Sequence, residues 1–248
     1  HDPYYVHPYD GTGYGRAANP VPDPADVDRL RSPYDGEITW WYARCGELVA
    51  DLKRRGLYDD LTIVVTSDHG EEFHEHGGFW HGTTLYDEQV RVPLWLKLPR
   101  SRRGGTVVRH WVQSIDLMPT LLEELDVEVP EGVQGGSLFT GTDRVYAEES
   151  HEGNVLEAVR ERRGTDEWKL MTANPGNPRG LDPVQLYRVD LDPGETRDLA
   201  EDAKEAVEAT TEALVAAGRD ARSGRVESTE VDVDESARER LRNLGYGN

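Results

Sequence analysis

One cysteine, Cys45, in 248 residues excludes an internal disulfide framework. Lysine is nearly as scarce: Lys53, Lys97, Lys169 and Lys204 are the whole set, and arginine supplies the remaining positive charge. With 28 Lys+Arg against 48 Asp+Glu, the formal net charge is −20. That balance excludes nucleic acid as a partner, because a phosphate backbone selects a basic surface. It excludes an anionic membrane surface for the same reason. No apolar run approaches the roughly 18–20 residues needed to cross a bilayer. No signal peptide is evident, and a cytoplasmic location is the expectation. The chain opens at His1-Asp2-Pro3 without a methionine and is expected to be a piece of a longer protein.

The length suffices for one sizeable α/β domain with an appendage. Residues 1–34, rich in Pro, Gly, Tyr and Asp, read as a loop segment. Asp35 is the expected N-cap of a helix running to about Arg55. Ile38, Trp41, Cys45, Leu48 and Leu52 form its apolar face, and Gly56 follows as its C′ residue. Cys45 lies on that stripe, so it reads as a packed core thiol. Leu61 to Thr66 reads as a buried parallel strand, and Arg91 to Leu98 as a second buried strand with Pro93 at its start. An amphipathic helix is expected between about Ser114 and Leu125, with Pro119 near its first turn. From about Val145 the texture changes to short candidate strands at 145–149, 155–160, 167–172 and 185–190, a small antiparallel sheet. An acidic alanine-rich helix (199–217), an acidic linker (223–234) and a last short helix (235–244) complete the reading.

The stretch with the most chemistry is 61–82, LTIVVTSDHGEEFHEHGGFWHG. An apolar strand ends in Ser67-Asp68-His69-Gly70, and three more histidines, His74, His76 and His81, follow. In open α/β sheets, ligands bind in the crevice beyond the strands' carboxyl ends. A carboxylate beside an imidazole there suits a divalent cation. His74 and His76 read as pocket-lining or solvated groups, Glu71 and Glu72 as surface or supporting ones. Phe79 and Trp80 read as packing residues, and Arg91 and Lys169 as structural. Asp87 and Glu88 are expected to open a helical turn, where their charge suits the dipole.

Several segments in order resemble the sulfatase family of the alkaline phosphatase superfamily. They are Thr66-Ser67-Asp68-His69-Gly70-Glu71, His76-Gly77, His81-Gly82-Thr83-Thr84-Leu85-Tyr86-Asp87-Glu88 and Val90-Arg91-Val92-Pro93-Leu94. Later come Ile115-Asp116-Leu117-Met118-Pro119-Thr120-Leu121, Trp168-Lys169-Leu170, Leu186 to Glu195 and the closing Leu241 to Tyr246. The opening His1-Asp2-Pro3-Tyr4 is similar to the family's His-x-Pro segment. The resemblance implies an α/β fold: a partial alkaline-phosphatase-like sheet flanked by helices, then a small C-terminal antiparallel sheet with a helix. The expected divisions are 1–142, 143–222 and 223–248. Acidity with little lysine is similar to the proteins of salt-loving archaea, whose self-repulsion salt screens, so a haloarchaeal origin is expected.

By the same resemblance Asp68 and His69 are metal ligands, with Ca²⁺ the usual ion and Mn²⁺ or Zn²⁺ compatible with the imidazole. His81 stands where many sulfatases have a lysine that contacts sulfate and the leaving oxygen. An imidazole, of ordinary pKa about 6.5, can deliver a proton there. Hydrolases of phosphate diesters and phosphonate monoesters also carry histidine at this place. His1 would bind an oxygen of the transferred group or the leaving oxygen. The family's nucleophile, formylglycine made from Cys or Ser within x-Pro-x-Arg, has no counterpart here: Cys45 is followed by Gly46-Glu47. The implied protein is a hydrolase of a small-molecule or carbohydrate sulfate ester whose nucleophile segment lies outside this chain. The chain by itself is therefore expected to be inactive. A phosphodiesterase, phosphonate hydrolase or phosphotransferase, and a non-catalytic remnant, are the alternatives.

Overall fold

Asp23 starts the first helix. Its carboxylate accepts a hydrogen bond from the Ala25 N–H at 2.8 Å, and Pro24 takes the first helical position, where a missing N–H is tolerated. The computed structural model describes residues 22–151, 153–223 and 235. In it α1 (Pro24–Arg54) passes through Pro33, so the expected loop up to residue 34 and the cap at Asp35 are corrected. Pro33 and Gly36 look like breakers in the sequence, but the Asp23-Pro24 start is the stronger local signal. Only the first half of α1 is packed: Leu30, with Val27 and Tyr34, meets Phe73, Phe79 and Trp80. The apolar stripe farther along lies open, with Ile38 52% and Trp41 45% exposed. Cys45 on that stripe is a half-buried free thiol, not a core one.

β1 (Ile63–Thr66) is followed by a small hairpin, β2 (Glu72–Phe73) with β3 (Phe79–Trp80), then by α2 (Asp87–Val90) and β4 (Leu94–Lys97). β1 pairs with β4 in antiparallel register, Ile63 opposite Lys97 and Thr66 opposite Leu94. The expected parallel, buried strand is corrected: among the described residues its one partner runs the other way, and it is only partly buried. The second expected buried strand, β4, is corrected too, since Trp95 is exposed. An apolar run signals contact with a core but carries no information on the partner's direction. The register puts Thr66, where the histidine loop begins, beside the start of β4.

A 3₁₀ turn at Ser114–Asp116 leads into α3 (Leu117–Glu124). The buried Asp116 carboxylate accepts from the Gln113 and Gly136 N–H groups, both at 2.8 Å. β5 (Arg144–His151), β6 (Asn154–Arg163), β7 (Asp166–Ala173) and β8 (Val184–Arg188) form the expected antiparallel sheet, ordered as in sequence. α4 (Lys204–Ser223) begins five residues later than the reading of 199–217 placed it. The expected linker and last helix lie, apart from Ser223 and Glu235, outside the described residues.

Alternation along the strands gives the sheet two dry faces. Val159, Leu170 and Leu186 face α4 through Ala213 and Leu214. Leu156, Ala158, Met171, Tyr187 and Val189 face the other way, onto Leu85 and Tyr86, which sit just before α2. The histidine loop is thus fixed to the C-terminal sheet by apolar contact. Burying each large side chain contributes about 1.5–3 kcal/mol. Leu186, fully buried between β8 and α4, is the clearest probe. Leu186→Ala is expected to lower stability by about 2–5 kcal/mol in denaturant titration, the range for a cavity that cannot collapse.

Candidate active site

Beyond Thr66 the backbone folds back on itself. Ser67 Oγ donates to the His69 carbonyl at 2.6 Å, and the His69 N–H donates to Asp68 Oδ1 at 3.1 Å. The turn projects both side chains outward. His69 Nδ1 lies 2.8 Å from the Gly70 carbonyl, so that nitrogen carries the proton and Nε2 keeps its lone pair. His69 Nε2 is 3.8 Å from Asp68 Oδ2. Two ligands bound at about 2.0–2.5 Å to one ion stand roughly 3–4 Å apart, so this pair fits a shared divalent cation. A backbone carbonyl holding the other imidazole nitrogen is the usual support of a metal-binding histidine. Among the described residues no group of three or more His, Cys, Asp or Glu is placed to hold a metal. By itself the pair would supply only part of a coordination sphere.

His81 comes to the same place from β3. Its ring stacks on that of His69 with centroids 3.8 Å apart. Its Nδ1 is 2.9 Å from Oε1 of Glu71, a nearly buried carboxylate. Asp68, His69, Glu71, His81 and Gln89 line one open cleft with His151 of β5. Asp68, His69 and His81 are thus brought together. His1 lies outside the described residues, and Cys45 is not among the residues that line the cleft.

α2 organises this loop although it is one turn long. Its carbonyls at Glu88 and Gln89 accept from the Glu71 and Gly70 N–H groups, at 2.9 and 2.8 Å. Gly70 must be a glycine: a Cβ there would lie 2.0 Å from the Glu88 oxygen. Gly82, after His81, has φ +79° and donates its N–H to Gln89 Oε1 at 3.0 Å. α2 is in turn held by charge. Asp87 Oδ1 meets Lys169 Nζ at 3.0 Å, its Oδ2 meets Arg160 at 3.0 Å, and its N–H donates to Glu195 Oε2 at 2.7 Å. Lys169, 3% exposed, also contacts Glu195 Oε1 at 2.6 Å. Burial works against ionised Asp87, but Lys169 and Arg160 hold its carboxyl below the usual range. Lys169 is structural, as expected.

Two assignments change, those of Glu72 and His76, while Glu71 is a supporting group. Glu72 is fully buried and accepts both bonds of Arg179 Nη2, at 2.8 and 3.0 Å, so it is a core ion pair rather than a surface group. Glu71 orients His81. His76 neither binds metal nor faces solvent: it stacks on Tyr86 at 3.6 Å, with Nδ1 2.7 Å from Glu88 and Nε2 3.2 Å from the Glu195 carbonyl. Gln89, His151 and Arg179 were not singled out. Their partners lie up to 107 residues away, and no local pattern announces such pairs.

The sequence profile described as Sulfatase matches residues 1–127, and one described as N-sulphoglucosamine sulphohydrolase, C-terminal, matches 74–217. The chain is 29% identical to a choline-sulfatase of Rhizobium meliloti over 238 residues, covering 89% of this chain and 44% of that protein. It is 36% identical to the multifunctional alkaline phosphatase superfamily protein PehA of Trinickia caryophylli over 119 residues, 47% of this chain and 23% of that one. A crystal structure of a putative sulfatase from Bacteroides thetaiotaomicron shares the fold with a TM-score of 0.66 at 22% identity, over 87% of this chain and 48% of that one. The chain thus spans less than half the length of these relatives.

The His76 contacts have a pH signature. Burial alone would lower its pKa, but the hydrogen bond and charge of Glu88, with the Glu195 carbonyl, raise it above the ordinary value. A raised folded-state pKa gives stability that is complete below the unfolded value of about 6.5 and is lost as pH rises through the folded one. The melting temperature is therefore expected to fall from about pH 6.5 upward, and His76→Gln to flatten that fall. Equal slopes for both proteins would contradict it.

Proposed function

Because the chain belongs to the sulfatase family, we propose that it is the C-terminal portion of a metal-dependent hydrolase of sulfate esters. The reading rests on one observation above all: Asp68, His69 and His81 share a cleft, with the two imidazoles stacked. Asp68 Oδ2 and His69 Nε2 would hold a divalent cation, Ca²⁺ before Mn²⁺ or Zn²⁺. When bound, such an ion draws charge from an oxygen of the sulfuryl group. Glu71 fixes the proton of His81 on Nδ1, so exchange with substrate passes through Nε2, from which the leaving alkoxide is protonated. Glu71 also keeps the ring from rotating, which gives the proton transfer a fixed direction. His1 is proposed to bind an oxygen of the transferred group. Cys45 is not among the residues lining the cleft, and the formylglycine nucleophile is proposed to lie on a segment outside this chain.

The open apolar surface supports the same reading. Ile38, Trp41 and Leu48 on α1, Trp95 on β4 and Met118 on α3 are all exposed, the kind of surface another part of a protein covers. The proposed boundary between catalytic and C-terminal parts lies near residues 142–143, just before β5.

A second reading, phosphate diester or phosphonate hydrolysis, is favoured by histidine rather than lysine at 81, and the likeness to a multifunctional protein of the alkaline phosphatase superfamily is compatible with it. Sulfate release from choline sulfate and from 4-nitrophenyl sulfate by the full-length protein decides between them. Chelation is expected to abolish release and Ca²⁺ to restore it, while His81→Ala lowers kcat for choline sulfate by about 10²–10⁴-fold and for 4-nitrophenyl sulfate far less. The 248-residue chain alone is expected to release none. Faster cleavage of bis(4-nitrophenyl) phosphate than of either sulfate would replace the sulfatase reading, and release indifferent to Asp68→Ala would end it.

A further inference from the structure

We infer that Gln89 is a positioning residue that holds His81 against His69 and Asp68. The inference rests on the hydrolase reading above and adds to it how the proton donor is kept in place. Asp68, His69, Glu71 and His81 come from two backbone segments of the cleft, 68–71 and 81–82. The β2–β3 pairing and the Glu71–His81 hydrogen bond tie them together. Gln89 adds a further tie, made of three bonds. Its carbonyl accepts from the Gly70 N–H at 2.8 Å, its Oε1 from the Gly82 N–H at 3.0 Å, and its Nε2 donates to Glu72 Oε2 at 2.9 Å. The Glu71 contact orients the His81 ring, and the Gln89 tether on Gly82 holds the backbone that carries it.

Glutamine is suited to this because one end of the side chain must accept and donate at once. A carboxylate at the same place would accept from Gly82 but repel Glu72, and a thioether of similar length would bond to neither. Gln89 is 3% exposed, so water does not replace a lost bond. The loss would nevertheless be local. Glu72 keeps Arg179, the Gly78 N–H at 2.8 Å and the His76 N–H at 3.2 Å without the amide. The bond from Gly70 is to backbone and survives any substitution. What a side-chain change removes is therefore mainly the tether on Gly82, next to His81.

The test uses the full-length, metal-loaded protein and compares an alkyl sulfate with 4-nitrophenyl sulfate, whose phenolate departs with little need of a proton. Gln89→Met is expected to lower kcat for the alkyl ester by about ten- to hundredfold, the scale of a small misplacement of a reacting group, with KM little changed. The aryl ester should be affected far less. In a His81→Ala background the same substitution should cost nothing further. Gln89→Glu provides the contrast: it keeps the Gly82 tether, so it should lower the melting temperature while leaving the ratio of the two rates as in the wild type. Equal slowing of both esters by Gln89→Met, or an additive loss in the His81→Ala background, overturns the inference while the hydrolase reading stands. If His81→Ala itself slows both esters equally, the assignment of His81 as proton donor fails and the role of Gln89 fails with it.

Discussion

A lysine almost sealed from water holds this molecule's two halves in one arrangement. Lys169, on the middle of β7, reaches across to Asp87 and Glu195, and Glu195 accepts the first N–H of α2. Burying such charges is unfavourable unless every one is matched, and removal of a single partner typically costs about 3–5 kcal/mol. Here the matching is dense: Arg160 takes the second oxygen of Asp87 and also meets Glu167. The C-terminal sheet is therefore not an appendage to the cleft. It sets where α2 stands, and α2 sets where the loop from Asp68 to Gly82 stands.

From that arrangement the chemistry follows with few further requirements. The turn at Ser67–His69 is too short to have much freedom, and the Gly70 carbonyl selects the tautomer of His69 that leaves Nε2 for a cation. Glu71 does the same for His81, engaging Nδ1 and leaving Nε2. On the proposed reading, the two imidazoles would then differ in task because one has a carbonyl as its acceptor and the other a carboxylate. Sequence distance plays no part in this division; the stacked geometry does.

What the sequence discloses and what it withholds divide along the same line. Asp68, His69 and His81 are legible because they lie within one short run after an apolar strand, and the four C-terminal strands because turn residues separate alternating segments. The start of α1 is less so, since Pro33 and Gly36 mask a helix already committed by Asp23 and Pro24. The direction of β1 is not legible at all, because both directions of pairing use the same apolar residues. The supports of the site are the least visible. Glu72 with Arg179 and His76 with Glu195 join residues 107 and 119 positions apart, and each looks like an ordinary solvated charge until the fold brings its partner.

Those separations bear on the order in which the protein can be made. Translation proceeds from the N-terminus, so the loop at 68–82 emerges while Arg179 and Glu195 are still unsynthesised. At about 5–20 residues per second, several seconds to roughly twenty pass before the groups that anchor the loop exist. During that interval Glu72 lacks its Arg179 partner and α2 lacks the Glu195 acceptor. If Asp68 and His69 hold a cation, as proposed, the anchors that fix their loop would be complete only after the C-terminal sheet has formed.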